Sequence, residues 1–240
     1  MAVNRVLALS SSSVYGGSYL QAAAPLIHKF LGEKGLTIAF IPFADVAEDH
    51  EIYANKVRAA LVHLPHTIVT VTMATAKDLL EKAEVIMVGG GNTFKLLHDI
   101  YDCQVLDTIR NKVNKGTPYI GWSAGANITA PTIGTTNDMP IIAPKSFNAL
   151  GLLPFQINPH YTNILQEGHH GETRNQRIEE FMAINPGLPV VALPEGTALQ
   201  LEGDQLYFKG AQTGVLFFWE AGETMTKRAI AIEEDLSFLL

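Results

Sequence analysis

The sequence is 240 residues long, and 47% of its residues are hydrophobic while 17% are charged, which excludes an intrinsically disordered chain. Its formal net charge of −7 disfavours binding to nucleic acid or to an anionic membrane surface, because both require a basic face. Cys103 is the one cysteine, so an intrachain disulfide and a cysteine-based metal site are excluded. We therefore expect one cytoplasmic domain spanning residues 1–240, without a membrane partner and present as a monomer or homodimer.

The first half of the chain alternates short apolar segments with segments of helical periodicity. This alternation is typical of βαβ units and predicts a mostly parallel sheet flanked by helices. The predicted strands are Arg5–Ser10, Leu36–Phe40, Thr67–Thr72, Glu84–Val88 and Pro118–Gly121. The predicted helices are Tyr19–Leu31, His50–Leu64, Ala76–Lys82, Thr93–Tyr101 and Val105–Lys115.

The second half is predicted to contain more loop and more strand. A long loop is predicted over Thr129–Phe147, where proline, threonine and asparagine are frequent. A helix is predicted over Thr173–Ile184, because Thr173 and Gln176 have the spacing of a capping box. The other predicted elements are short strands, at Phe155–Ile157, Val190–Leu193, Ala198–Leu201, Gln205–Lys209, Val215–Trp219 and Lys227–Ile232. The residues therefore predict an α/β domain with a β-rich C-terminal part.

The segment Gly121-Trp122-Ser123-Ala124-Gly125 fits the pattern G-x-S-x-G directly after a predicted strand. Small residues on both sides of a serine allow a sharp strand-to-helix turn that exposes the serine oxygen. The backbone N–H of Ala124 then points towards an oxyanion formed at the substrate carbonyl. We interpret Ser123 as a nucleophile; the alternative is an ordinary glycine-serine turn.

A second glycine-rich turn, Gly89-Gly90-Gly91-Asn92-Thr93, also follows a predicted strand and precedes a predicted helix. It lacks the last glycine of a dinucleotide-binding turn and the Gly-Lys-Ser/Thr of a phosphate-binding loop, so nucleotide binding is disfavoured. An oxyanion hole needs a second N–H donor besides Ala124, and Gly90 or Gly91 is the candidate. The alternative is a plain strand-to-helix turn.

A serine nucleophile requires a base. His160 is the candidate because it follows the predicted strand Phe155–Ile157, and strand ends carry the sites of α/β proteins. His169 and His170 are an alternative pair of ligands for a metal ion. However, neighbouring side chains face apart and no carboxylate has a suitable spacing, so we expect no metal.

The base requires an orienting acid, and two candidates stay open. Glu195 follows the predicted strand Val190–Leu193, whereas Asp138 lies in the loop after the nucleophile, and the strand-end position favours Glu195. Arg174 falls in the first turn of a predicted helix, where a cation opposes the helix dipole. This position indicates a carboxylate partner for Arg174, and a solvent-exposed arginine is the alternative.

Taken together, these segments closely resemble the peptidase E family of α-aspartyl dipeptidases. The resemblance covers nearly the whole chain and rests on six motifs, VGGGNTF (88–94), YIGWSAGAN (119–127), TTNDMPI (135–141), QINPHYTN (156–163), EGHHGETRNQR (167–177) and LPEG (193–196). It implies a doubly wound α/β fold similar to the glutaminase domain of class I amidotransferases. Those enzymes carry a cysteine where Ser123 stands, so ammonia transfer is not expected.

The resemblance also implies a serine peptidase that hydrolyses dipeptides with an N-terminal aspartate, without a metal or other cofactor. The family's catalytic residues correspond to Ser123, His160 and Glu195, with Asp138 as the second choice for the acid.

Substrate contacts are expected from Arg174, which would bind the aspartyl side chain, and from Asn92. The substrate amine is expected to meet one of three acidic residues of the same region, Glu167, Glu172 or Asp138.

Two other functions stay open at this point. One is a related peptidase that acts on another acidic substrate, as the cyanophycinase relatives of this family do, although a longer chain would then be expected. The other is a non-catalytic α/β binding module that keeps the serine turn as scaffolding. The presence of Ser123, His160 and Glu195 disfavours this second alternative.

Overall fold

The computed structural model describes residues 4–47, 49–164, 168, 170–220 and 224–240. In chain order, the strands within these residues are β1 (Arg5–Leu9), β2 (Thr37–Ile41), β3 (Thr67–Thr70), β4 (Val85–Val88), β5 (Tyr119–Trp122), β6 (Gln156–Asn158), β7 (Val190–Ala192), β8 (Thr197–Glu202), β9 (Gln205–Gly210), β10 (Gly214–Glu220) and β11 (Thr224–Ile230). The helices are α1 (Ala24–Leu31), α2 (His50–Ala60), α3 (Ala76–Lys82), α4 (Thr93–Asp102), α5 (Leu106–Asn114), α6 (Ala124–Asn127) and α7 (Arg174–Ile184).

The strands form two sheets. A seven-stranded sheet has the order β3-β2-β4-β5-β1-β8-β9, in which the first five strands are parallel and the β8–β9 hairpin is antiparallel. A four-stranded sheet has the order β11-β10-β7-β6, with β6 and β7 parallel and β10 antiparallel to both of its neighbours. The prediction of a mostly parallel sheet and a β-rich C-terminal part is therefore confirmed.

Helices cover both faces of the larger sheet. Leu7 and Leu9 of β1 belong to an apolar cluster that includes residues of α1 and α2. Val6 and Ala8, which point to the opposite face, belong to a cluster that includes residues of α3, α4 and α5. This two-sided burial is the physical reason that the parallel strands are nearly continuous apolar runs, and it confirms the doubly wound α/β architecture.

The smaller sheet has its own apolar layer. Ile178 and Met182 of α7 pack there with Val190 and Phe217. Thr173 caps α7, and the capping box with Gln176 is formed as predicted. Within the described part of the chain, no helix is long and apolar enough to cross a membrane.

Two helix boundaries were predicted wrongly. The helix expected over Tyr19–Leu31 begins only at Ala24, because Leu20 has a φ of +56° and the following residues form turns. The helix expected over His50–Leu64 ends at Ala60, and residues 61–64 form turns and a bend ahead of Pro65. The other predicted elements lie within three residues of the observed bounds, and the segment Thr129–Phe147 contains no helix or strand apart from a single bridge at Thr132.

Candidate active site

A strained turn at Ser123 joins β5 to the short helix α6. Ser123 has a φ of +54° and a ψ of −113°, a conformation that costs an L-residue about 1–3 kcal/mol. Its backbone N–H donates to the carbonyl oxygen of Leu9 at 3.1 Å, which fixes the turn against the end of β1. A Cβ on Gly125 would overlap the Val88 carbonyl, and one on Gly121 would overlap the Gly125 carbonyl, so this close packing requires both glycines. The G-x-S-x-G pattern therefore forms the predicted sharp turn.

The imidazole of His160 lies beside the Ser123 hydroxyl. Its Nε2 is 3.0 Å from Ser123 Oγ, within hydrogen-bond distance. His160 follows β6 and has a φ of +53°. The backbone N–H of the next residue, Tyr161, donates to the Leu193 carbonyl at 2.9 Å, which ties this turn to the end of β7. The serine and the histidine, 37 residues apart in sequence, thus come together as predicted.

A carboxylate completes this row of side chains. Glu195 Oε1 lies 2.9 Å from His160 Nδ1, on the opposite side of the ring from Ser123. Both side chains are about half exposed, at 41% for His160 and 49% for Glu195, so the pair contributes little to stability. The Glu195 backbone is restrained by Gln212, whose Nε2 donates to the Glu195 carbonyl at 2.6 Å.

Asp138 has a different set of partners. Its Oδ2 accepts hydrogen bonds from the backbone N–H and the hydroxyl of Thr93, at 2.7 and 2.6 Å, and lies 3.2 Å from the Thr136 hydroxyl. These bonds place the carboxylate at the N-terminus of α4, where the helix dipole favours a negative charge. In this structure Glu195, and not Asp138, is the acid hydrogen-bonded to His160.

The glycine-rich turn after β4 lies against Ser123. A Cβ on Gly90 would be 2.9 Å from Ser123 Cβ, so only a glycine allows this approach. None of the hydrogen bonds between described residues uses the N–H groups of Gly90 and Gly91. Ala124 begins α6, so its N–H has no acceptor within the helix. An oxyanion is stabilised by backbone N–H groups that are not already used in other hydrogen bonds.

Two cavities meet at Ser123 and His160. The smaller, of about 210 Å³, is also lined by Arg174, Asp138, Thr93 and Asn137. The larger, of about 720 Å³, is lined by three aromatic residues, Tyr19, Tyr53 and Trp122, and by Lys56 and Asn92. Both cavities therefore open onto the Ser123 and His160 side chains.

The model of the family described as Peptidase family S51 matches residues 6–208. The chain belongs to peptidase family S51. It is 46% identical to "Peptidase E" from Nostoc sp. (strain PCC 7120) over 98% of this chain and 96% of that protein. It is also 46% identical to "Peptidase E" from Shewanella denitrificans over the full length of both chains. The resemblance to peptidase E is thereby confirmed, and the chain is a serine peptidase.

Solved structures agree with this family assignment. A crystal structure from Listeria monocytogenes EGD-e superposes with a TM-score of 0.69 at 26% identity, covering 88% of this chain and all of that one. A peptidase from an acI-B1 Actinobacterium has the same TM-score at 16% identity and therefore supports the fold alone.

Arg174 of this family S51 chain places a positive charge in the smaller cavity. Its Nη1 donates to Asn158 Oδ1 at 3.3 Å, and the Asn158 amide is held by the Thr135 carbonyl and by Asn137 Oδ1, both at 2.8 Å. Burial, reinforced by the charge of Arg177, lowers the pKa of Arg174 from its ordinary value, although a guanidinium stays charged at neutral pH. Among the described residues, no carboxylate forms an ion pair with Arg174. A guanidinium that has no carboxylate partner among the described residues keeps N–H donors with which it can bind a carboxylate.

The remaining predicted substrate contacts have varied positions. Asn92 lines the larger cavity, but its Oδ1 caps α4 at Lys95 N–H and its Nδ2 donates to the Met139 carbonyl, so its side chain is already engaged. Glu172 is exposed and pairs with Arg177 at 3.7 Å. Glu167 and His169 lie outside the described residues. Within the part of the chain that is described, no group of three or more histidine, cysteine or acidic side chains is arranged to hold a metal ion.

Two residues next to the site were missed by the sequence analysis. Ser10 is fully buried and bonded to the backbones of His160 and Leu193. Its signal was available, because it is a polar residue at the carboxyl end of an apolar strand. Tyr53 reaches the glycine-rich turn from α2, and a tyrosine within an amphipathic helix gives no such signal.

Proposed function

We propose that this chain is a metal-independent dipeptidase that hydrolyses dipeptides with an N-terminal aspartate. The observation that carries this proposal is the Arg174 guanidinium, which forms no ion pair with a described carboxylate, in the same small cavity as Ser123 and His160. The name shared by the family S51 relatives, peptidase E, supports the same activity. A cytoplasmic location and a monomeric or homodimeric state stay predictions.

In the proposed reaction, Ser123 Oγ attacks the peptide carbonyl carbon while His160 Nε2 accepts the hydroxyl proton. The N–H of Ala124 and that of Gly90 or Gly91 stabilise the oxyanion of the tetrahedral intermediate. His160 then gives its proton to the leaving amine as the C–N bond breaks, which leaves an aspartyl ester on Ser123. Water hydrolyses the ester with His160 again as base, and Glu195 keeps the ring oriented throughout.

The smaller cavity would hold the aspartyl residue. Arg174 can bind its side-chain carboxylate through two parallel N–H···O bonds, a geometry that lysine does not reproduce. The three hydrogen bonds to Asp138 all end on Oδ2, so Oδ1 is available for the substrate ammonium group. One cation and one anion in the same cavity match the two charges of an N-terminal aspartate.

The larger cavity would hold the leaving residue. Its aromatic lining suits an apolar side chain, and Val46 and Ile52 lie exposed at its edge. Apart from His160, Lys56 is the one basic side chain among the described residues that line this cavity. Its Nζ lies 4.1 Å from the centroid of the Tyr19 ring. Lys56 would receive the free carboxylate of the second residue, and such a contact would favour dipeptides over longer peptides.

The decisive experiment measures release of free leucine from Asp-Leu, Asn-Leu and Glu-Leu, with and without a chelator, for wild type and Ser123→Ala. We expect chelator-resistant cleavage of Asp-Leu alone, which is lost in the variant. Full activity of Ser123→Ala would refute the proposed nucleophile. If the wild type cleaves none of the three dipeptides, a peptidase for another acidic substrate or a non-catalytic module becomes the better hypothesis.

A further inference from the structure

Three hydrogen bonds hold the backbone of the glycine-rich turn beside Ser123. Gly89 N–H donates to the Ile41 carbonyl at 3.0 Å, and Asn92 N–H donates to the Ala44 carbonyl at 2.8 Å. The Gly90 carbonyl accepts a hydrogen bond from the Tyr53 hydroxyl at 3.0 Å. The peptide between Gly90 and Gly91 is thus fixed from its carbonyl side, while its N–H has no acceptor among the described residues.

We propose that Tyr53 positions the oxyanion hole, by holding the peptide that joins Gly90 to Gly91 so that the Gly91 N–H faces the reacting carbonyl at Ser123. This inference rests on the proposed serine-peptidase mechanism and makes Gly91 the second N–H donor. Tyr53 is a positioning residue, since it touches neither the scissile bond nor the serine oxygen.

The trans peptide between Gly90 and Gly91 links the direction of its carbonyl to the direction of its N–H. In a trans peptide the C=O and the N–H point in opposite directions, so a bond that fixes the Gly90 carbonyl also fixes the direction of the Gly91 N–H. A hydrogen bond accepted by the carbonyl also polarises the peptide and strengthens its N–H as a donor. Gly91 has a φ of +141°, which other residues rarely adopt, and a Cβ there would overlap the Ala44 carbonyl. The turn is therefore built for a single conformation.

The hydroxyl of Tyr53 lies between Trp122 and the Gly90 carbonyl and forms a hydrogen bond with each. It accepts a hydrogen bond from Trp122 Nε1 at 3.1 Å, and Trp122 directly precedes the nucleophile. Because the indole can only donate, the Tyr53 hydroxyl is the acceptor in this bond, and it is the donor in its bond to the Gly90 carbonyl. Burial raises the pKa of Tyr53, so the hydroxyl keeps its proton at neutral pH. One chain of two bonds thus couples the serine turn to the oxyanion turn.

Packing fixes the tyrosine ring without using the hydroxyl. The ring meets Phe40 edge to face, with centroids 5.2 Å apart. A Cβ on Gly89 would overlap the Tyr53 hydroxyl end at 2.7 Å, so the tyrosine and the glycine turn fit closely. Tyr53→Phe keeps the ring contacts and removes only the hydrogen-bonding group, which makes it a clean test.

The test compares wild type, Tyr53→Phe and Tyr101→Phe on Asp-Leu. Loss of a direct oxyanion donor lowers kcat by about 10²–10³-fold. Tyr53→Phe leaves the donor in place but unfixed, so we expect kcat to fall about ten-fold with KM nearly unchanged. Tyr101→Phe is the matched control, because its hydroxyl donates to the Asn148 carbonyl at 3.0 Å outside the two cavities, and it should match wild type.

A second measurement separates positioning from general packing. The affinity for an aspartate analogue with a boronic acid in place of the α-carboxyl group should fall in Tyr53→Phe by the same factor as kcat, because its tetrahedral adduct with Ser123 occupies the oxyanion hole. The affinity for free aspartate should stay unchanged. If kcat stays within two-fold of wild type, or if both affinities fall together, the proposal is wrong. Absence of Asp-Leu cleavage by wild type would instead refute the proposed function.

Discussion

The backbone N–H of His160 donates to the hydroxyl oxygen of Ser10 at 2.9 Å. The same hydroxyl donates to the Leu193 carbonyl at 2.7 Å. Because His160 has a φ of +53°, its backbone needs such restraints to hold the imidazole at the nucleophile. One buried serine therefore joins the ends of β1, β6 and β7 at the position where the imidazole must be fixed.

The first prediction concerns this serine. Ser10→Ala leaves the His160 N–H and the Leu193 carbonyl without their partner, so the free energy of unfolding should fall by about 1–3 kcal/mol. The imidazole should also be less well placed, so kcat for Asp-Leu should fall while KM changes little. Urea unfolding and steady-state kinetics measure the two effects. Ser18→Ala, an exposed serine, is the control. An unchanged kcat in a folded Ser10→Ala protein would contradict the role of this contact.

The second prediction separates the two candidate acids. Glu195→Gln removes the charge that orients His160, and kcat should fall by about 10²–10⁴-fold. Asp138→Asn should change kcat far less but raise KM, because the amide cannot pair with the substrate ammonium group. It should also lower the melting temperature, since the carboxylate that bonds the N-terminus of α4 is lost.

The two substitutions are isosteric, so each is the control for the other. Kinetics on Asp-Leu and thermal unfolding are measured for both proteins under the same conditions. A large loss of kcat in Asp138→Asn with a near-normal Glu195→Gln would reverse the assignment of the acid.

The order of the elements could be predicted from the sequence because most parallel strands of the larger sheet are apolar runs followed by a punctuating residue. The position of Ser123 followed from local spacing, since the glycines of its turn lie within two residues of it. His160 could also be predicted as the base from its position. Ser123 follows the carboxyl end of β5, and His160 follows the carboxyl end of β6.

The strand-end position favoured Glu195 as the acid, but the same reasoning left Asp138 open as an alternative. The Asp138 carboxylate is hydrogen-bonded to Thr93 instead of to the imidazole. Thr93 lies 45 positions away in the sequence, and no local pattern connects the two residues. The contribution of Tyr53 depends in the same way on a contact across 37 residues. The start of α1 was predicted too early because the apolar spacing continues through Leu20, whose backbone leaves the helical region.

The third prediction concerns the aspartyl cavity. Arg174→Ala removes the cation that would bind the substrate side chain, so kcat/KM for Asp-Leu should fall by about 10²-fold or more. Asn-Leu, which has no side-chain charge, should lose much less, and the preference for aspartate should disappear. Arg174→Lys should stay well below wild type because an ammonium cannot form the two parallel bonds.

Arg177→Ala is the matched control for this series. Arg177 lies on the same helix α7, but it is exposed and pairs with Glu172. Its removal should leave the ratio of Asp-Leu to Asn-Leu cleavage unchanged. Retention of the aspartate preference in Arg174→Ala would show that another group binds the aspartyl side chain of the substrate.

The last prediction tests whether Lys56 in the larger cavity binds the free carboxylate of the second residue. If Lys56 receives the free carboxylate, wild type should cleave Asp-Leu more efficiently than Asp-Leu-amide, which lacks that charge. Lys56→Met keeps the apolar stem of the side chain and removes its charge, so kcat/KM for Asp-Leu should fall towards the value for the amide. Cleavage of the amide itself should hardly change. The discrimination should weaken with added salt, because Lys56 is exposed and its charge is screened.

Lys82→Met provides the comparison, since Lys82 pairs with Asp78 on α3 and does not line the cavity. An equal loss on both substrates in Lys56→Met would mean that Lys56 supports the cavity wall through its contact with Tyr19 rather than binding the carboxylate. An unchanged preference for Asp-Leu over its amide would show that another group binds the carboxylate. A loss of kcat/KM on Asp-Leu but not on its amide would identify Lys56 as the residue that binds the free carboxylate of the dipeptide.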